Sequence, residues 1–232
     1  MNEEQTIHFA DGSKYTGNVQ NKKMHGEGVL QYKNGDEYQG KFYNGKRHGR
    51  GNTMFANGDT YCGDFIEDFM SGIGIYTWKN GETYEGEYQE SIRCGQGKYI
   101  WPNGNFYEGQ FSDGKFHGDG LFSGSDGEVY EGAFDNDLYH GQGQLQLATG
   151  ETYKGEFCEN TYSGQGELVL PSGEKYIGNF SEDKFNGEGL YYWPDGRKFE
   201  GIFKNGHPND TGTMTFPSGE SIEYQHKLET TS

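Results

Sequence analysis

Several groups of residues have types and spacings that could do chemistry. Gly35 to Lys41 reads GDEYQGK, formally the GxxxxGK of a phosphate-binding loop. Such a loop also needs Ser or Thr next and a helix whose N-terminus faces the phosphate. Phe42 follows instead, inside a stretch that reads as strand, so the match is a coincidence of the repeat described below. His25, His48, His117 and His140 recur in one register and could suggest a metal ladder. Adjacent copies would stand about 9.6 Å apart along a sheet, whereas zinc ligands sit within about 2.1 Å of one ion. Hydrogen bonding at a turn exit is the reading for these histidines. Glu85 with Glu87 and Glu131 with Glu156 pair carboxylates, but on a solvated face rather than in a closed acid–base cleft. Cys62, Cys94 and Cys158 are odd in number, far apart and without CxxC, which fits a reducing compartment better than a disulfide or zinc scaffold. No nucleophile–base constellation stands out. We expect no catalytic residue, no metal, no cofactor and no enzyme activity.

The remaining chemistry is aromatic. Tyr61, Tyr84, Tyr107, Tyr130 and Tyr153 share one register, and Tyr76 with Trp78, Tyr99 with Trp101, and Tyr191 with Trp193 form Tyr-x-Trp pairs. These rings either pack only on one another or line a face that meets a partner, since contiguous exposed aromatic area marks binding surfaces. We take them as candidate partner-binding residues. Phe69 and Met70 join them, because DFIEDFMSGIGIYTW is unusually apolar, with Ile66 and Ile73 also at turn or outward positions. The occupant expected is a peptide or helix of a protein partner laid along the sheet.

The elements that position these residues repeat every 23 residues. Tyr15, Tyr38, Tyr61, Tyr84, Tyr107, Tyr130, Tyr153, Tyr176 and Phe199 define position zero. Gly recurs at −3, +2, +11 and +13, and these four columns hold 36 of the 40 glycines, too many for a helical repeat. Tyr-x-Gly-x-Phe and Gly-x-Gly-x-Φ-x-Φ each alternate as strands do. KNGD, ANGD, PNGN and PSGE between repeats suit a type I turn closed by a left-handed Gly. The inner turn (NGKR, SDGK, EDKF) reads as polar and looser. The fold expected is all-β: an elongated, twisted, single-layer antiparallel sheet of about nine stacked 23-residue hairpins. Pairing about the inner turn predicts that position zero faces +15, Gly +2 faces Gly +13, and Phe +4 faces Gly +11. The odd period would turn alternate tyrosines to opposite faces, which predicts one bulge at each inter-repeat turn, at the −3 Gly. Gly124 replaces the +17 aromatic of repeat five and predicts a kink or a dip. The expected organisation is an N-terminal cap over 1–8, the array over 9–222 and a polar tail over 223–232.

Net charge is −17, from 36 acidic against 19 basic residues. This argues against nucleic acid, and against electrostatic docking to anionic lipid. Membrane contact is thus disfavoured, and a homodimer is compatible with the apolar stretch. MNEEQTIHFADG lacks the features of a signal peptide, and no apolar run reaches membrane-spanning length. A cytoplasmic protein is expected.

Units such as YQGKFYNGKRHGRGNTMFANGD and YEGQFSDGKFHGDG resemble the MORN repeat, YxGxFxxGxxHGxGxxxxxxG, over about residues 9–222. The resemblance implies stacked β-hairpins and a scaffold or adaptor role. It is similar to arrays in radial-spoke heads and other axonemal or cytoskeletal assemblies, which implies a cilium, flagellum or the cytoskeleton. The alternatives it implies are a phospholipid-binding tether, or a regulatory subunit of an enzyme carried on another chain.

Overall fold

A computed structural model describes residues 4–225; residues 1–3 of the expected cap and 226–232 of the expected tail lie outside it. The chain divides into two compact units, Met1–Phe116 and His117–Ser232. Both are antiparallel sheet, and no helix occurs among the described residues.

Every repeat uses the same two strands. The first runs from −1 to +5 (Lys14–Gln20 in repeat one, Lys198–Lys204 in repeat nine), and the second from +8 to +16 (Lys23–Gln31, His207–Thr215). Glu4–His8 pairs ahead of the first hairpin, with Ile7 opposite Tyr15, and Ser221–Gln225 pairs after the last, with Ile222 opposite Met214. The single layer of stacked hairpins is therefore present as expected.

The register follows the expected pairing in part. Tyr15 faces Leu30 and Gly17 faces Gly28, the zero/+15 and +2/+13 pairs. Position +4 does not face +11 of its own hairpin. Val19 faces Met24, because the register shifts between +2 and +4. The glycine at +11 instead faces the +4 ring of the next repeat, as Gly26 faces Phe42. Bare backbone does lie beside each ring, but a neighbouring hairpin supplies it.

The expected inter-repeat bulge is present: the −3 glycines from Gly12 to Gly219 have φ between +88° and +100°, the left-handed residue of a type I turn with a G1 bulge, and a second irregularity lies within the hairpin. That second shift falls in repeats one to four and six to nine. In repeats one to four and six to eight it centres on the +11 glycine, which has positive φ, for example +66° at Gly26 and +62° at Gly141. Side chains at +3 close some of these bulges: Gln96 N–H donates to Glu87 Oε1 at 2.8 Å. The odd period follows from the pair of loops: the inner turn has two residues, and the inter-repeat turn carries the one extra residue of its bulge. Position +5 faces +8 across the inner turn, as Gln20 faces Lys23. That turn is tight rather than loose. Both of its residues have positive φ (Asn21 +50°, Lys22 +60°; Glu182 +50°, Asp183 +63°), which is the type I′ hairpin matched to strand twist.

The inter-repeat turn is the type I form with a left-handed glycine. Gly35 N–H donates to the Tyr32 carbonyl at 3.0 Å, Tyr32 N–H to the Asp36 carbonyl at 2.8 Å, and Gly35 has φ +95°. Gly124 makes no kink in its turn: its N–H donates to Glu128 and its carbonyl accepts from Gly127, as elsewhere in the array.

Candidate functional site: a partly open aromatic groove

The core lies on one face of the layer. Each position-zero ring crosses the +2/+13 glycine pair of its own hairpin; a Cβ on Gly155 would stand 2.6 Å from the Tyr153 hydroxyl and 2.6 Å from Cα of Gly166. The hydroxyl then donates to the +3 carbonyl of its strand, from Tyr15 to Asn18 at 2.6 Å through Tyr176 to Asn179 at 3.0 Å. The +4 rings stand edge-on between successive tyrosines: Tyr38 meets Phe42 and Phe65 at 5.0 Å, near perpendicular. Such pairs are worth about 0.5–1.5 kcal/mol beyond the area they bury. Tyr153→Phe, which loses the bonds to the Glu156 carbonyl (2.9 Å) and the Ser163 carbonyl (3.2 Å), is expected to cost about 1 kcal/mol. An unchanged urea midpoint would show that the hydroxyl is idle. Phe199 is the natural form of this change.

This ladder corrects one group of sequence candidates. Tyr61, Tyr84, Tyr107, Tyr130 and Tyr153 are 0–1% exposed and offer a partner no surface. Their rings lie on the glycine pair and are covered by what stands at +9. Burial, above all, raises the hydroxyl pKa of Tyr61, Tyr84, Tyr130 and Tyr153, to about 12 for Tyr130.

The column at +9 escaped the sequence reading. In repeats one to four it reads Met24, Arg47, Met70, Arg93, and in repeats five to eight Phe116, Tyr139, Tyr162, Phe185. The aromatic members stack flat on position zero: Tyr107–Phe116 at 3.8 Å, Tyr130–Tyr139 at 3.7 Å and Tyr153–Tyr162 at 3.8 Å. The arginines occupy the corresponding place as cations. The Arg93 guanidinium lies 5.6 Å from the Tyr84 ring and 5.3 Å from Tyr99, and donates to the Gly114 carbonyl at 2.6 Å. Reading each repeat position as its own column would have revealed this.

The columns at +9, +15 and +17 form the surface that is left. Tyr76, Trp78, Trp101, Tyr191, Trp193 and Met70 are half-buried, and Tyr99 is buried. In the N-terminal unit Tyr76, Trp78, Tyr99 and Trp101 run in series with centroids 4.6–5.3 Å apart. A hollow of about 280 Å³ opens there, walled by Met70, Tyr76, Trp78, Tyr88 and Arg93. In the C-terminal unit one of about 220 Å³ lies among Phe185, Tyr191, Trp193, Phe203 and Pro208. The two hollows occupy the same place in the repeat. Phe69 is exposed but lies elsewhere: with Ile66, its pairing partner, it stands at a hairpin tip.

Carboxylates at −2 hold the outer rings. Tyr76 donates to Asp59 at 2.8 Å, Tyr99 to Glu82 at 2.5 Å, Tyr139 to Glu128 at 2.8 Å and Tyr162 to Glu151 at 3.1 Å. Burial first, then the carboxylate, raises the pKa of each of these hydroxyls. The histidines are not uniform. His117 Nδ1 lies 3.2 Å from Asp135, whereas Nδ1 of His25 and of His48 is buried without a partner, contrary to the expected hydrogen bond. Among the described residues no cluster of three or more His, Cys, Asp or Glu is placed to hold a metal ion. Among the described residues no helix is long and apolar enough to cross a membrane.

Stacked hairpins with a ring at zero, glycines at +2 and +13 and an edge-on ring at +4 define a β-hairpin repeat array. The MORN repeat model matches nine consecutive segments, 15–37, 38–60, 61–83, 84–106, 107–129, 130–152, 153–175, 176–196 and 199–221, and the chain belongs to the MORN-repeat family. Repeats of this family commonly serve as scaffold or binding modules. No curated protein sequence matches the chain. Among solved structures it is similar to the wild-type TCP10 domain of Danio rerio CPAP, at 12% identity over 97% of this chain and 100% of that one, with TM-score 0.44. It is also similar to the SAS-4 (dCPAP) TCP domain of Drosophila melanogaster in complex with a proline-rich motif of Ana2 (dSTIL). That match has 12% identity over 96% and 90% of the two chains, with TM-score 0.27.

Proposed function

We propose that the protein is a non-catalytic scaffold or adaptor that holds a segment of a protein partner in the groove of its +9, +15 and +17 columns. One observation carries this reading. The ladder at zero and +4 is satisfied within the layer, yet Trp78 and Trp193 remain half-open at the mouths of apolar hollows. Half-open Trp and Tyr beside a hollow are the usual anchors of an interface. The resemblance to axonemal and cytoskeletal arrays supports a place in such an assembly.

The test is capture from cell extract by the purified chain, compared with Trp78→Ser and Trp193→Ser. Both variants are expected to keep their far-ultraviolet circular dichroism and to lose most of the retained partner. Equal capture by all three proteins, or none by the parent, would overturn the proposal. Proximity labelling in the native cell then reports partner and location together.

A further inference from the structure

The two compact units differ in charge. Residues 1–116 hold 12 Lys and Arg against 16 Asp and Glu, a balance of −4, while residues 117–232 hold 7 against 20, a balance of −13. The lysines of repeats six to eight do not relieve the groove; at its far end Arg197 lies 5.2 Å from the Trp193 ring. Lys154, Lys175 and Lys184 stand at +1, −1 and +8, on the face away from the rings, where Lys175 reaches Glu167 and the Tyr192 ring. The acids, in contrast, border the groove. Glu128 and Glu151 hold the Tyr139 and Tyr162 hydroxyls, and Asp183 accepts the Tyr162 N–H at 2.7 Å from the opposite bank.

The N-terminal unit shows what such a groove accepts. There the chain seats its own guanidinium on the rings: Arg47 lies 4.9 Å from Phe65 and 5.6 Å from Tyr38, and donates to the Asp68 carbonyl at 2.6 Å. In repeats six to eight the +9 residue is Tyr139, Tyr162 or Phe185, and among the described residues no Lys or Arg is placed over these half-buried rings.

Resting on the groove reading above, we infer that the C-terminal unit binds an extended, polyproline-II-like segment carrying Lys or Arg at every third residue with apolar residues between. The spacing selects this form. Like positions of successive repeats are two strands apart, about 9.6 Å. Three residues of polyproline II advance about 9.3 Å and return to the same face. A helix returns after seven residues, about 10.5 Å. Over three repeats the first falls behind by about 1 Å and the second overshoots by about 3 Å. Cations in step with the repeat meet both the ring faces and the carboxylates.

The probe is a labelled peptide of four Arg-Pro-Leu triplets, compared by fluorescence anisotropy with a composition-matched peptide whose four arginines are contiguous. The full chain is expected to bind the spaced peptide more tightly, in a salt-sensitive manner. Glu128→Gln with Glu151→Gln keeps an acceptor for each tyrosine and is expected to weaken binding by about tenfold. Glu131→Gln with Glu188→Gln, on the other face, is expected to leave binding unchanged. Equal affinity for both peptides, or equal loss in the two double variants, would reveal a merely acidic surface and overturn the inference. Failure of the spaced peptide while Trp193-dependent capture from extract survives would remove the cationic reading and leave the groove reading standing. Failure of both would remove both.

Discussion

Gly155→Ala is expected to destabilise the protein by on the order of 3 kcal/mol, at the upper end for overpacking a core. The new Cβ would lie 2.6 Å from three atoms: the Gln165 carbonyl oxygen, Cα of Gly166 and the Tyr153 hydroxyl. Two of these are backbone and cannot swing away. The ring cannot rise either, because Tyr162 stacks on it at 3.8 Å and Phe157 and Phe180 flank it at 5.0 Å. Gly150→Ala is the control. That turn glycine has φ +91° and its nearest outside atom is 4.0 Å away, so only left-handed strain of about 1–2 kcal/mol applies. Urea midpoints for the two variants check the ranking. A Gly155→Ala protein as stable as the control would mean that the ring–glycine contact does not hold the hairpin closed.

The second large effect is alkaline unfolding. Burial above all raises at least fourteen of the eighteen tyrosines, Tyr130 and Tyr176 to about 12 from the ordinary 10. The sign follows from proton counting. Below 10 both states hold the phenolic proton, and the contribution is fully present. Above 10 the unfolded chain binds fewer protons than the folded one, so stability falls as pH rises. Each raised tyrosine steepens the slope, and the loss is shared along the ladder. Circular dichroism and tyrosinate absorbance are expected to change together in one steep step above pH 10. A gradual ionisation near 10 with the sheet intact would contradict the burial described here.

The hairpins were legible in the sequence because their determinants are invariant columns. Gly +2 and Gly +13 mark a close approach that no other residue allows, and Asn-Gly or Ser-Gly at the repeat boundary marks a turn. Parity and the boundary glycine placed the inter-repeat bulge, but the second shift, inside the hairpin, adds two residues and so left no mark in that count. Asn44-Gly45, Asp113-Gly114 and Asn205-Gly206 spell the type I′ turn at the inner loop, but six of the nine repeats, Glu182-Asp183 among them, carry no Gly there, which masked it. The groove was only partly legible. Tyr61 and Tyr76 are alike in type, yet one lies on the glycine pair and is buried while the other stands half-open. Arg47 and Arg93 hid because +9 varies in chemistry, from Met to guanidinium to ring, although its arginines and aromatics share one shape, a flat group laid on the ring below.

The two-residue inner turn also governs how such a chain can change in length. Each hairpin enters and leaves on the same face and in the same register, since Tyr38 follows Leu30 across one gap as Tyr61 follows Thr53 across the next. A gain or loss of one residue in either loop would turn every later ring to the solvent side unless a new bulge absorbed it. A gain or loss of 23 residues turns none. Length in this architecture is therefore quantised. Duplication or deletion of whole repeats is the step that preserves the ladder, and the reach of the binding face is set by integers.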